Sequence, residues 1–237
     1  MNTFPALVTG AHKGIGKGIA RPLAAAGHTV YVGSRDADRG QRAVDEIGGS
    51  ARLLVLDVTE AKSIADAAQQ VGNLDILVNN AGIMAGGATP PDVDLETFRR
   101  TYETNLFAVL AVTNAFLPAL RRSPWPRIVN ISSGTSSLTW STGPDAQFNT
   151  GGSGAAYRSS KTALNALTLF YAQALAPEGF RVNALAPGLR KTDLAPRAAA
   201  SDGDPAEAAE GAVRLALLPD DGPTGEFLSW DGTPVPW

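Results

Sequence analysis

The sequence holds no cysteine in its 237 residues, which excludes disulfides, thiolate nucleophiles and zinc–thiolate sites together. Histidine is nearly as scarce. His12 lies in a glycine-rich stretch and His28 at an expected helix–strand junction, and no carboxylate cluster joins either one to suggest a metal site. An excess of one charge is also missing: 20 Lys and Arg stand against 23 Asp and Glu. No basic run offers a stripe for nucleic acid. The longest apolar candidate, "TNLFAVLAVTNAFLPAL" (104–120), is broken by Asn, Thr and Pro, so it reads as a buried helix rather than a membrane span. The first residues lack the basic segment and long apolar stretch of a secretion signal. A reducing, cytoplasmic setting is the expectation.

What is present is a folded chain, 44% hydrophobic and 18% charged. Short β-rich runs alternate with helical patterns from end to end. The expected strands are 6–10, 28–33, 51–58, 74–80, 127–133, 180–188 and 225–230. The expected helices lie near 14–27, 37–47, 60–71, 94–104, 105–121, from about 155, and 205–218. Several strands are continuous apolar runs, as in strands covered on both faces. The alternation predicts one α/β domain over 1–237, doubly wound and Rossmann-type. A mostly parallel seven-stranded sheet would carry helices on both faces. Residues 134–154 and 189–205 are the long connections, and such loops are often functional.

Two local patterns carry chemistry. "TGAHKGIG" (9–16) ends the first strand and opens the first helix. Gly10, Gly14 and Gly16 would let the backbone turn tightly and approach a pyrophosphate at a helix N-terminus. Alternatively this is a glycine-rich turn with no ligand, since the spacing is not G-x-G-x-x-G. In "GGSGAAYRSSKTALNALTLF" (151–170), Tyr157 and Lys161 are four apart, which places a phenol and an ammonium on one helix face. Alone, that pair also describes a solvated helix surface.

Five segments in order, "TGAHKGIG", "NNAG" (79–82), "ISS" (131–133), "YRSSK" (157–161) and "APG" (186–188), make the chain resemble the short-chain dehydrogenase/reductases along essentially its whole length. "GSRDADRG" (33–40) and "DGTPVPW" (231–237) are more particularly similar to carbonyl-reductase-like members. The resemblance implies an oxidoreductase that interconverts a carbonyl and an alcohol with a nicotinamide cofactor. Tyr157 would be the acid/base and Ser133 would hydrogen-bond the substrate oxygen, with Ser132 as a rival. Lys161 would hold the nicotinamide ribose, and Asn105 would position a water chain to Lys161. Ala108 stands where many members have Gly. Hydride transfer to a carbonyl leaves an alkoxide in need of a proton, and a phenol titrates near 10. A cation about 4 Å away, at an effective dielectric of about 20, is worth about 4 kcal/mol, enough to lower that by about three units.

The cofactor-binding residues implied by the matched motifs are Gly10, His12, Lys13, Gly14, Ile15, Gly16, Ser34, Arg35, Asp57, Val58, Asn79, Ala81, Gly82, Tyr157, Lys161, Pro187, Gly188 and Thr192. A carboxylate at the end of the second strand would favour NAD. Here that place reads "VGSRD", with Ser34 neutral and Arg35 next. A guanidinium suits a 2′-phosphate, Lys13 adds a second cation, and NADP(H) is the expected cofactor. The alternative for Arg35 is a surface arginine paired with Asp36 or Asp38. A non-catalytic NADP-binding regulator and a sugar-nucleotide epimerase or dehydratase are the rival functions. Oligomers of relatives form through helices matching 105–121 and 155–176, although an insertion before the Tyr keeps some carbonyl-reductase-like members monomeric. A dimer or tetramer is expected here. The segment 134–156 should lack a regular core, and Trp140 or Phe148 would either anchor it or face a bulky substrate.

Overall fold

Strands such as "ALV" and "ILVN" have no polar side chains to turn towards water apart from one terminal Asn, so both faces must be covered. In the computed structural model, which describes residues 3–237, they are. The first two residues of the expected domain lie outside that range. The seven strands are β1 (Ala6–Val8), β2 (Val30–Ser34), β3 (Ala51–Val55), β4 (Ile76–Asn79), β5 (Arg127–Ile131), β6 (Arg181–Ala186) and β7 (Phe227–Ser229). They form one sheet in the order β3-β2-β1-β4-β5-β6-β7, and every adjacent pair is parallel. Ala6 is in register with both Val30 and Ile76, so the strand order changes direction at β1. Such a switch point opens a crevice at the carboxyl ends of the strands.

The helices are α1 (Gly14–Ala25), α2 (Ala37–Ile47), α3 (Ala61–Gln70), α4 (Leu95–Tyr102), α5 (Ala108–Leu120), α6 (Ala155–Leu175), α7 (Pro196–Ala199) and α8 (Pro205–Ala216). Strand alternation divides the core into two layers. Val8 joins Ile19, Leu23, Ala212 and Leu215 on the α1/α8 side. Leu7 joins Phe116, Leu120, Tyr171 and Leu175 on the α5/α6 side. Asp36, Asp94 and Asp204 cap α2, α4 and α8 by accepting backbone N–H groups. By length and apolarity Leu95–Leu120 would pass for a membrane span. Its Val112, Phe116 and Leu120 instead lie in the core beneath the sheet.

The expected strands run long at the ligand end, except the second, which reaches Ser34 rather than 33. β3 stops at Val55 rather than 58, because Asp57 Oδ1 turns the chain by accepting from Thr59 N at 3.0 Å and Thr59 Oγ1 at 2.7 Å. The patterns at 94–104 and 105–121 join into one helical stretch through a π turn at Glu103–Phe107, a distortion that spacing does not reveal. α7 interrupts the loop 189–205, started by Pro196 at its first position. The segment 134–154 contains two 3₁₀ turns, Gly134–Ser136 and Thr139–Ser141.

Candidate active site

The first helix meets the cleft with its N-terminus open. Lys13 at the cap position makes no side-chain cap bond, and the first turn of α1 has no acidic residue. Its free N–H groups and positive potential therefore face an empty-handed end suited to an anion. At Gly10 and Gly16 the turn into the helix has no room for a side chain. Gly10 has φ 62°, and a Cβ on Gly16 would lie 2.4 Å from Asn80 Nδ2 and 2.8 Å from the Gly10 carbonyl. The backbone is thus pressed against the end of β4, where Asn80 Nδ2 donates to the Thr9 carbonyl at 2.8 Å. His12 Nδ1 is buried with no hydrogen-bond partner. Burial, aided by Lys13, Arg39 and Arg35, holds the pKa of His12 below its ordinary value.

From this loop a cleft of about 740 Å³ runs to Tyr157 and Lys161, a volume suited to a cofactor-sized ligand. Of the expected residues, Gly10, His12, Lys13, Gly14, Ile15, Gly16, Arg35, Asp57, Val58, Ala81, Gly82, Tyr157, Lys161, Pro187 and Thr192 line it. Three others face elsewhere. Ser34 is buried, with its hydroxyl donating to the Asp36 carbonyl at 2.8 Å. Asn79 donates inward to Asn130 Oδ1 at 2.9 Å and Thr113 Oγ1 at 3.1 Å. Gly188 packs beside Trp230 and Arg190. β4 explains the second case: adjacent strand residues point to opposite sides, so Asn80, not Asn79, reaches the cleft. Arg39, Met84 and Lys191 also line it. Arg39 was within reach of sequence reasoning as a further cation four residues beyond Arg35, in the first turn of α2.

Among the described residues Arg35 forms no ion pair. Asp36, one of the two carboxylates the alternative would pair with it, caps α2 and pairs with Arg39 at 3.4 Å. Lys13 is not free in the same way. It bridges the cleft mouth to Asp193 at 3.1 Å, with both side chains largely exposed, a contact worth little in water.

At the other end, α6 brings Tyr157 and Lys161 to β5. Lys161 is buried and donates from Nζ to the Ile131 carbonyl at 2.8 Å, and burial lowers its pKa to about 8. Burial pushes the Tyr157 phenol up from its ordinary value, while a hydrogen bond with Ser133 works the other way. This corrects the electrostatic expectation. Lys161 shares the face of Tyr157, but its ammonium turns to a carbonyl, and the group that lowers the phenol's pKa is Ser133. Ser132 does not compete for that role, because its hydroxyl donates inward to Asn165 Oδ1 at 2.6 Å.

Asn105 sits in the π turn, fully buried. Its Oδ1 accepts from Ile83 N at 2.9 Å, and its Nδ2 donates to the Ile83 carbonyl at 2.9 Å and to Ser160 Oγ at 3.0 Å. The side chain is therefore a clamp rather than a free water ligand. Asn105 Oδ1 and Lys161 Nζ flank Gly82, 3.3 and 3.5 Å from where a Cβ would stand. Trp140 and Phe148 pair at 6.0 Å between ring centroids, close over Gly134. Trp140 packs on the Phe227 cluster and neither ring lines the cleft, which fits the anchoring alternative.

The model of the family "short chain dehydrogenase" matches residues 5–202. The chain is 34% identical to (-)-isopiperitenone reductase of Mentha piperita, with 95% of this chain and 96% of that protein covered. It superposes on the NADPH-bound carbonyl reductase from chicken fatty liver with a TM-score of 0.86 and 29% identity, covering 100% of each chain. A 3-ketoacyl-(acyl-carrier-protein) reductase from Brucella melitensis, complexed with NADH, gives a TM-score of 0.82 at 27% identity, covering 95% of this chain and 96% of that one. The protein belongs to the short-chain dehydrogenase/reductase family. It is an oxidoreductase of a family that uses a nicotinamide cofactor, and the open helix end, the tight glycines Gly10 and Gly16 and the orphaned His12 Nδ1 fit such a group.

Proposed function

We propose that this protein is an NADP(H)-dependent reductase of ketones or aldehydes, acting in the cytoplasm on a small-molecule carbonyl and run in reverse on the alcohol. The observation that carries the reading is that Tyr157 and Lys161 line one end of a cleft whose other end carries an anion-ready helix terminus, with Ser133 easing the ionisation of the phenol that burial opposes. The bound nicotinamide supplies the hydride. Tyr157 gives the proton to the developing alkoxide, which suits a phenol that burial keeps protonated. Ser133 fixes the substrate oxygen beside that proton, and Lys161 supplies positive charge and a ribose contact. Asn105 is a positioning residue that holds Ile83 against this end of the cleft.

Preference for NADP(H) over NAD(H) is supported by Arg35, which makes no ion pair among the described residues, and by Arg39 four residues later. A 2′-phosphate would meet the unpaired Arg35, with Arg39 beside it, and the Asp36 carboxylate there is already turned to the α2 N-terminus and to Arg39. The test is turnover of a panel of ketones, aldehydes and quinones with each cofactor. NADPH should support reduction better than NADH. Arg35→Asp should raise the KM for NADPH about ten- to a hundredfold, as for loss of a charge-assisted contact, and that for NADH little. Equal changes for both cofactors would make Arg35 structural. Tight NADPH binding with no turnover across the panel would favour a regulator instead.

A further inference from the structure

Arg158, next to Tyr157, is part of no ion pair among the described residues, yet its guanidinium is fully engaged. Nε donates to the Thr135 carbonyl at 3.3 Å and Nη1 to Thr150 Oγ1 at 2.5 Å. Nη2 donates to Ser141 Oγ at 2.9 Å and to the Phe148 carbonyl at 3.2 Å. These acceptors are spread along the segment 135–150, which is rich in Ser and Thr and has little core of its own. Such a segment is costly to order, because each residue fixed loses backbone entropy. A planar fork with five N–H donors gathers it from one point on α6.

The same fork reaches the reacting groups. Thr135, whose carbonyl Arg158 holds, pairs through Oγ1 with Ser133 Oγ at 2.9 Å and donates from its backbone N to that oxygen at 3.3 Å. Ser133 in turn eases the ionisation of the Tyr157 phenol, against the effect of burial. The arch is fastened further out by Thr139, which donates from N and Oγ1 to the Trp237 carbonyl at 3.2 and 2.9 Å. Its far end is fastened by Ser153 Oγ, which donates to the Gly87 carbonyl at 2.7 Å.

We propose that Arg158 is a positioning residue that staples the arch 135–150 to the helical turn bearing Tyr157, thereby setting the Ser133–Tyr157 geometry and the substrate side of the site. The effect on turnover rests on the carbonyl-reductase reading, but the staple itself does not. One ammonium cannot meet four separated acceptors, so Arg158→Lys should not restore what Arg158→Met removes.

The test compares wild type, Arg158→Met, Arg158→Lys and the double variant Ser141→Ala/Thr150→Val, which removes two acceptors and leaves α6 untouched. Amide hydrogen exchange over 138–150, read on the cofactor-free chain, should quicken several-fold in all three variants. The KM for the best carbonyl of the panel should rise about tenfold in both Arg158 variants, the loss expected for charged hydrogen bonds. NADPH affinity, measured by fluorescence titration, should stay within about twofold, since no principal cofactor contact of the cleft changes. A merely structural role would lower kcat by depleting folded enzyme and leave the carbonyl KM alone; that result overturns the proposal. So does unchanged exchange over 138–150 in Arg158→Met and in the double variant. The exchange measurement needs no substrate, so absence of carbonyl turnover in wild type would count against the proposed activity and not against the staple.

Discussion

Lys161 is the residue on which pH should act first. In the proposed reduction Tyr157 carries its proton and Lys161 its charge, so both requirements are met at low pH and lost as pH rises. Burial pushes the phenol above its ordinary 10.0 and brings Lys161 down to about 8. The lysine therefore loses its proton first. The value of kcat/KM for NADPH, which reports ionisations of the free enzyme, should fall as pH rises through about 8. A profile flat to pH 10 would show that the charge on Lys161 is not used. At this scale the sequence was legible where a regular period places side chains. The four-residue spacing of Tyr157 and Lys161 on α6 is such a case. It was illegible where an unforeseen hydrogen bond decides direction. Nothing in "YRSSK" shows that Lys161 Nζ turns to the Ile131 carbonyl or that Arg158 reaches back over the arch.

Elements were read well in their middles and less well at their ends. The apolar strands and capped helices lie where periodicity put them, because burial and capping act locally. Their ends are set by contacts between distant segments. Asn79 and Asn80 illustrate this: either could face the cleft until the register of β4 between β1 and β5 is fixed. The π turn around Asn105 is likewise stabilised by Ile83 and Ser160, which no local pattern links to it. The contact between the glycine loop and β4 makes a sharp prediction. Gly16→Ala would press a methyl group onto Asn80 Nδ2 and the Gly10 carbonyl, an overpacking that costs about 1–3 kcal/mol. The variant should melt at lower temperature and bind NADPH more weakly, checked by thermal denaturation and fluorescence titration. Wild-type values for both would mean that the loop has room to spare.

The molecule as a whole exposes an apolar face away from the cleft. Phe107, Leu110 and Phe170 are about half exposed. Tyr171 bonds Asn114 at 2.7 Å, so α5 and α6 present that face side by side. The arch 134–154 is fastened elsewhere, to Trp237, Gly87 and Arg158. We propose that this face pairs with a second copy of the chain. Light scattering should give a dimeric or tetrameric mass at micromolar concentration, and Leu110→Lys/Phe170→Glu should reduce it to a monomer. A monomeric wild type would refute the pairing while leaving the chemistry intact. The chemistry is tested most directly by one substitution. Tyr157→Phe keeps the ring and removes only the proton. With NADPH bound to both proteins and the best carbonyl added, the rate of nicotinamide oxidation in a single turnover is the measurement. The account predicts that Tyr157→Phe binds NADPH almost as wild type does and oxidises it at least about a hundredfold more slowly, within the usual range for loss of a general acid. Oxidation within a few-fold of the wild-type rate would contradict it.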